Sequence, residues 1–198
     1  NDPSRRRELI MNVLNDNPGE YVELLKKARM NEDVEVVHYA ITAMVELSKE
    51  YDYRLQKIEK KYTNDPDDPV ILEEYCDFLK EYLSQGFMEK QMEQIYRNQY
   101  TQLLLKQLEQ KVNLHTCVCL MENLMVQRDF FLAEKVLKIM DQNWHRGEEY
   151  WIWKIRYLAE RKMGKELKQS LQALKEEHIY LSSRGKEALG FWLDGSKK

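Results

Sequence analysis

The apolar positions along this chain recur with the period of helices. Within residues 117–140, Cys117, Leu120, Met121 and Leu124 fall at i, i+3, i+4 and i+7, and after the polar pair Arg128-Asp129 a similar stripe follows at Phe130, Ala133, Leu137 and Met140. Each set covers one side of a helix, so the stretch predicts two helices folded back on each other through a tight turn. A unit this short cannot bury both stripes alone, and must stack on similar units before and after it. The same period runs upstream. Leu9, Ile10, Val13 and Leu14 share one side of a helix that Asp2-Pro3 opens and residues 15–17 close. Pro18 begins a second helix with the stripe Tyr21, Leu24, Leu25 and Ala28, and residues 31–33 turn the chain. A third helix starts at Val34 and carries Val36, Val37, Ala40, Ala43, Met44 and Leu47, with room to continue to Tyr62. Its small alanines admit a close neighbour.

Residues 64–69, NDPDDP, form the strongest break, since each proline drives its predecessor out of the helical region and the aspartates favour turns and caps. With 4 prolines and 7 glycines placed between helical segments, and no alternating strands bounded by hairpin turns, the chain reads as all-α, an α-solenoid of stacked helical hairpins. The break divides it into regions 1–63 and 64–198. Tyr75, Cys117 and Trp153 take equivalent places on first helices, 42 and 36 residues apart. Ten or eleven residues after each comes a turn, at Gly86, Arg128 and Gly164. A last helix near residues 186–193, with Phe191 and Trp192, suits an end cap.

Two resemblances follow from these positions. Pro18 and its apolar helix, then NEDVEVVHYAITAMVELS with Asp33, Val36, Val37, Ala40 and Ala43, resemble a HEAT repeat over residues 18–48; His38 stands where that family usually has arginine. The second resemblance is to tetratricopeptide repeats, whose period is roughly 34 residues. Tyr75, Phe78, Leu79, Tyr82 and Gly86 match that family's first helix, and Leu120, Met121, Leu124, Ala133, Leu137 and Met140 its second half. Trp153, Gly164, Leu167, Leu171 and Leu174 supply a third, while no unit has the closing proline in place. Degenerate repeats of this kind cover residues 69–181. A HEAT-like front joined to such repeats, with the NEDVEVVHYA stretch, is similar to the cytoplasmic repeat region of the membrane-anchored accessory subunit in pel-type bacterial exopolysaccharide machinery. That resemblance implies a non-catalytic subunit whose partners are a cyclic-di-GMP receptor subunit and a glycosyltransferase at the inner membrane.

Composition narrows the function classes. Across 198 residues, 43% hydrophobic and 33% charged is the balance of a soluble folded protein. The formal charge of −3 and the scatter of Lys and Arg among Asp and Glu disfavour nucleic acid. Three cysteines, an odd number, argue for a reducing compartment and a cytoplasmic location. No apolar run approaches the roughly 18 residues needed to span a bilayer, and no signal peptide is expected. The chain begins at Asn1 rather than Met, so a membrane segment upstream is one expectation, and Arg5, Arg6 and Arg7 would suit its cytoplasmic flank. The commoner fate of so short a charge run is a solvated helical turn.

Candidate chemistry is sparse. His115, Cys117 and Cys119 are zinc-ligand types, but alternate helical residues diverge and no second pair lies at zinc-motif distance, so no metal is expected and the cysteines read as core. Cys76, among Tyr75, Phe78 and Leu79, reads as packing. Glu73-Glu74 and Glu148-Glu149 are sequence neighbours whose side chains diverge, which does not make an acid/base pair. With no glycine-rich phosphate loop, nucleophile elbow or His-Glu-x-x-His, neither catalysis nor a cofactor is expected. Aromatic residues are denser than one core stripe needs at Trp144, Tyr150, Trp151, Trp153 and Tyr157, and Arg146 and Arg156 accompany them. These residue types dominate protein interfaces, so Trp144, Arg146, Tyr150, Trp151 and Arg156 are the expected partner face. The same rings could equally fill grooves between stacked helices. A peptide-sensing tetratricopeptide regulator is the alternative function, and it needs asparagines lining a groove; Asn98, Asn113, Asn123 and Asn143 share no repeat position.

Overall fold

A computed structural model describes residues 18–86 and 88–195. The expected first helix and the cluster Arg5, Arg6 and Arg7 lie outside the described residues. Among the described residues the chain is all-helical, with no strand: α1 (Pro18–Ala28), α2 (Val34–Asn64), α3 (Pro69–Gln85), α4 (Lys90–Gln110), α5 (Leu114–Gln127), α6 (Phe130–Trp144), α7 (Glu148–Glu160), α8 (Gly164–Glu176) and α9 (Ser183–Gly195). Two compact units divide within α4, between Leu103 and Leu104. No described helix is long and apolar enough to cross a membrane.

In the N-terminal unit α1 packs on α2 and α3, and α2 on α3. Pro18 opens α1, but the stripe differs from the expected one: Val22 and Leu25 are buried and Leu24 is 61% exposed. The face of α1 that wins is the one that meets α2 and α3. Asp33 caps α2 by accepting from the Glu35 amide, and the helix runs unbroken for 31 residues. Its buried line is Ala40, Leu47, Tyr51, Leu55 and Ile58, while Val36 is exposed. The polar break separates α2 from α3, with Asp68 accepting from the amides of Val70 and Ile71 and Pro69 in the first turn of α3. Tyr75, Phe78, Leu79 and Tyr82 are all buried, and α3 ends on Gly86 at φ 64°, the left-handed cap that glycine adopts without strain.

Tyrosines on α2 and α3 reach across to carboxylates on the opposite helix. Tyr51 and Tyr82 stack with centroids 4.8 Å apart. Tyr51 donates to Glu81 at 2.7 Å, Tyr82 to Asp52 at 2.9 Å and Tyr75 to Glu59 at 3.1 Å. Burial, then these carboxylate partners, pushes all three phenols far above the usual tyrosine range.

In the C-terminal unit consecutive helices pack in series, α5 on α6, α6 on α7 and α7 on α8, and first helices also meet, α5 with α7 and α7 with α9. Asn113 caps α5 by accepting from the Thr116 amide, and Asp129 caps α6 by accepting from Leu132. Cys117, Leu120, Met121, Leu124, Ala133, Leu137 and Met140, the stripes that announced this hairpin, are buried. Between them Arg128 sits at φ 58°. Its amide donates to Met125 and the next amide, Asp129, to Leu124, the paired closure that ends a helix on a left-handed residue. The same closure recurs after α7, with Lys162 at φ 57°, and after α8, with His178 at φ 51°. The turn expected at Gly164 therefore falls two residues earlier, and Gly164 simply opens α8. Three basic residues thus occupy positions where glycine is least strained, although a cation at a helix C-terminus is favoured by the macrodipole. α9 is fastened to α7 by Glu148, which accepts from the Ser182 amide at 2.7 Å, and by the Arg184 to Glu149 pair at 2.6 Å.

Candidate functional site

The five residues expected to form a partner face do not share one surface. Tyr150 and Trp151 are 4% and 1% exposed. Trp151 donates its indole N–H to the His145 carbonyl at 2.8 Å, and burial, then the Asp141 carboxylate, pushes the Tyr150 phenol well above the usual tyrosine range. These two rings are core, and the excess of aromatic residues is absorbed because α7 is covered by α5, α6, α8 and α9. Trp144 is half-buried, Arg146 exposed and Arg156 half-buried. Of the five, Arg156 lines an open groove.

That groove, about 820 Å³, lies within the C-terminal unit along α5, α7 and α9. Trp153, Trp192, Met125 and Val126 supply apolar surface, and Arg128, Arg156 and Lys162 supply cations. The Arg156 guanidinium stands over the Trp153 ring at 5.2 Å, and Arg128 over Phe130 at 5.7 Å. Glu122 and Glu160 also line the groove. No described carboxylate lies within ion-pair distance of Arg128, Arg156 or Lys162. The buried indole N–H of Trp153 has no acceptor, a donor that the fold leaves unspent. Sequence reasoning placed Arg128 at a turn where a repeat prefers glycine, yet did not connect it with Lys162 or Trp192. That substitution of a cation for glycine was the signal available.

The N-terminal unit has its own open groove of about 500 Å³, where Ile41 and Val45 of α2 face Met92 of α4 with Met44 and Met88 beside them. Tyr82, Tyr96 and Asp52 also line it, with Arg29 and Glu89 adding opposite charges. Methionine suits a surface that must adapt to what it meets.

The other candidates are occupied locally. Cys76, Cys117 and Cys119 are buried free thiols; burial pushes the Cys117 thiol up to about 11, and Cys119 lies 3.5 Å from the His115 imidazole. Among the described residues no three His, Cys, Asp or Glu side chains converge as a ligand set. Asn113 is a cap, Asn143 bonds the Ile139 carbonyl, Asn98 accepts from Gln94 and buried Asn123 bonds Gln127.

One cluster centres on an imidazole between two carboxylates. His145, just past α6, bonds Asp141 through Nδ1 and Glu177, just past α8, through Nε2 at 2.8 Å, so a protonated ring donates to both and ties the two helix ends together. The bond to Asp141 raises the imidazole pKa, burial opposes that, and Glu177 adds to the rise. Burial works against the Asp141 charge too, but bonds from His145 and Tyr150 outweigh it and hold the carboxyl below its usual range. The folded state therefore binds the imidazole proton more tightly than the unfolded chain. The stabilisation is full below the unfolded value of 6.5 and is lost as pH rises through the raised folded value. At the acid end, the share due to Asp141 is lost as pH falls through its lowered pKa. Thermal melts of the parent and His145→Gln from pH 5 to 9 are expected to converge on the alkaline side, with the parent higher below neutrality; parallel curves would contradict the clasp.

The chain matches no protein-family model, and neither a curated protein nor a solved structure is significantly similar to it.

Proposed function

We propose that this chain is a non-catalytic docking scaffold built of HEAT-like hairpins followed by degenerate tetratricopeptide-like ones. The observation that carries the reading is the C-terminal groove, where two tryptophans stand with three cations that have no carboxylate partner among the described residues. Aromatic and guanidinium groups are the side chains that most often anchor a protein partner. The specific form of the proposal is a cytoplasmic part of a pel-type exopolysaccharide biosynthesis and secretion complex, joined to a cyclic-di-GMP receptor subunit and a glycosyltransferase. Its support is the stretch NEDVEVVHYA, which lies at the start of α2 with Asp33 as its cap, together with the series of packed helices. The peptide-sensing alternative has less support, because its four asparagines are engaged in local bonds.

The test is affinity purification of the tagged full-length protein from its native cells after mild cross-linking. Recovery of a glycosyltransferase and a cyclic-di-GMP-binding subunit, reduced by Arg156→Glu, is the expected result. Recovery of both partners unaffected by that change would move the docking surface elsewhere; recovery of neither would remove the exopolysaccharide assignment.

A further inference from the structure

Left-handed backbone at a side-chain-bearing residue is a local strain, and such strain concentrates at sites that use the side chain. Among the described residues three non-glycine positions show it, Arg128, Lys162 and His178. The closure of the helix does not need these side chains, since its bonds run from backbone amides. Arg128 and Lys162 differ from His178 in where they sit: both line the groove that contains Trp153, Arg156 and Trp192. They close the ends of α5 and α7, helices that pack on each other. Two turns thus place a cation each at one groove, and Arg156 adds a third from the α7 surface. Glu122 and Glu160 reduce this to a net single positive charge, in a chain whose own formal charge is −3.

Resting on the scaffold reading above, we infer that the occupant of this groove is an acidic segment of another protein, in which Asp or Glu residues flank an aromatic or aliphatic anchor. The anchor lies against Trp153 and Trp192, and the flanking carboxylates pair with Arg128, Arg156 and Lys162. The geometry suits a carboxylate at both ends of the contact, because two of the cations are held by helix-closing turns rather than by flexible loops. Guanidinium groups take carboxylates in a planar, two-bond fashion that fixes orientation as well as charge. Three cations interrupted by two carboxylates do not make the continuous track that a nucleic-acid backbone requires.

The test is to pan a phage-displayed library of random twelve-residue peptides on the intact chain, then measure the selected peptides against the parent, Arg128→Gly/Lys162→Gly and Arg156→Gln. The expected winners are rich in Asp and Glu beside Trp, Phe or Leu. Their affinity should fall on the order of tenfold or more in each variant, and should weaken between about 50 and about 300 mM salt as charge screening increases. Because glycine fits the left-handed turns, the double variant should melt no lower than the parent, which separates lost binding from lost fold. Winners without acidic bias whose binding still falls in Arg156→Gln would overturn the acidic partner and leave the scaffold reading standing. An absence of winners whose binding falls in either variant would overturn both. Preferential capture of a random single-stranded oligonucleotide over every peptide, abolished by Arg156→Gln, would overturn the acidic partner in favour of nucleic acid.

Discussion

Trp151→Ala is expected to destabilise the C-terminal unit by about 3–5 kcal/mol, the range for truncating a large buried aromatic ring. The ring is 1% exposed, and its N–H is satisfied by the His145 carbonyl at 2.8 Å. Its removal opens a cavity among α7 and the helices that cover it and leaves that carbonyl without its donor. Trp151→Phe keeps most of the volume and should cost less, chiefly through the lost hydrogen bond and the smaller ring. Urea unfolding followed by far-ultraviolet circular dichroism measures both. A cost near zero for alanine, with weakened partner binding, would mean that the ring belongs to an interface after all.

Tyr51→Ala is expected to be of similar size in the N-terminal unit, about 3–5 kcal/mol. Tyr51 has no exposed surface, stacks on Tyr82, sits 6.1 Å from the Phe78 ring and lies under the Arg54 guanidinium at 5.5 Å. Tyr51→Phe separates ring from hydroxyl. It keeps the stack and removes the bond to Glu81, whose carboxylate retains Arg54 at 3.6 Å, so the cost should be about 0.5–1.5 kcal/mol. The two substitutions should therefore differ severalfold, and equal costs would show that the hydroxyl rather than the packing holds α2 to α3. Absorbance titration offers an independent check, since the buried phenol should stay un-ionised until the unit unfolds.

Much of the local structure could be read from the sequence because it depends on neighbours in the chain. The hairpin from Leu114 to Trp144 was visible in its spacing and its polar turn, and every stripe residue except half-buried Phe130 is buried. The long α2 and the break before α3 followed from the same kind of signal. Errors arose where one helix offers two apolar faces. Leu24 and Val22 lie on different sides of α1, and only packing on α2 and α3 selects Val22. The candidate site was less legible for the same reason. Tyr150 and Trp151 have interface chemistry, but burial is decided by how many helices surround α7.

The sequence alone determined that this chain is helical and where most turns fall, because periodicity and turn chemistry act within a few residues of one another. Tertiary structure decided which aromatic rings are core, that Arg128 and Lys162 belong to the same groove as Arg156, and that His145 ties two helix ends. Those facts depend on distances between residues some thirty positions apart, and such distances are set only when the helices pack.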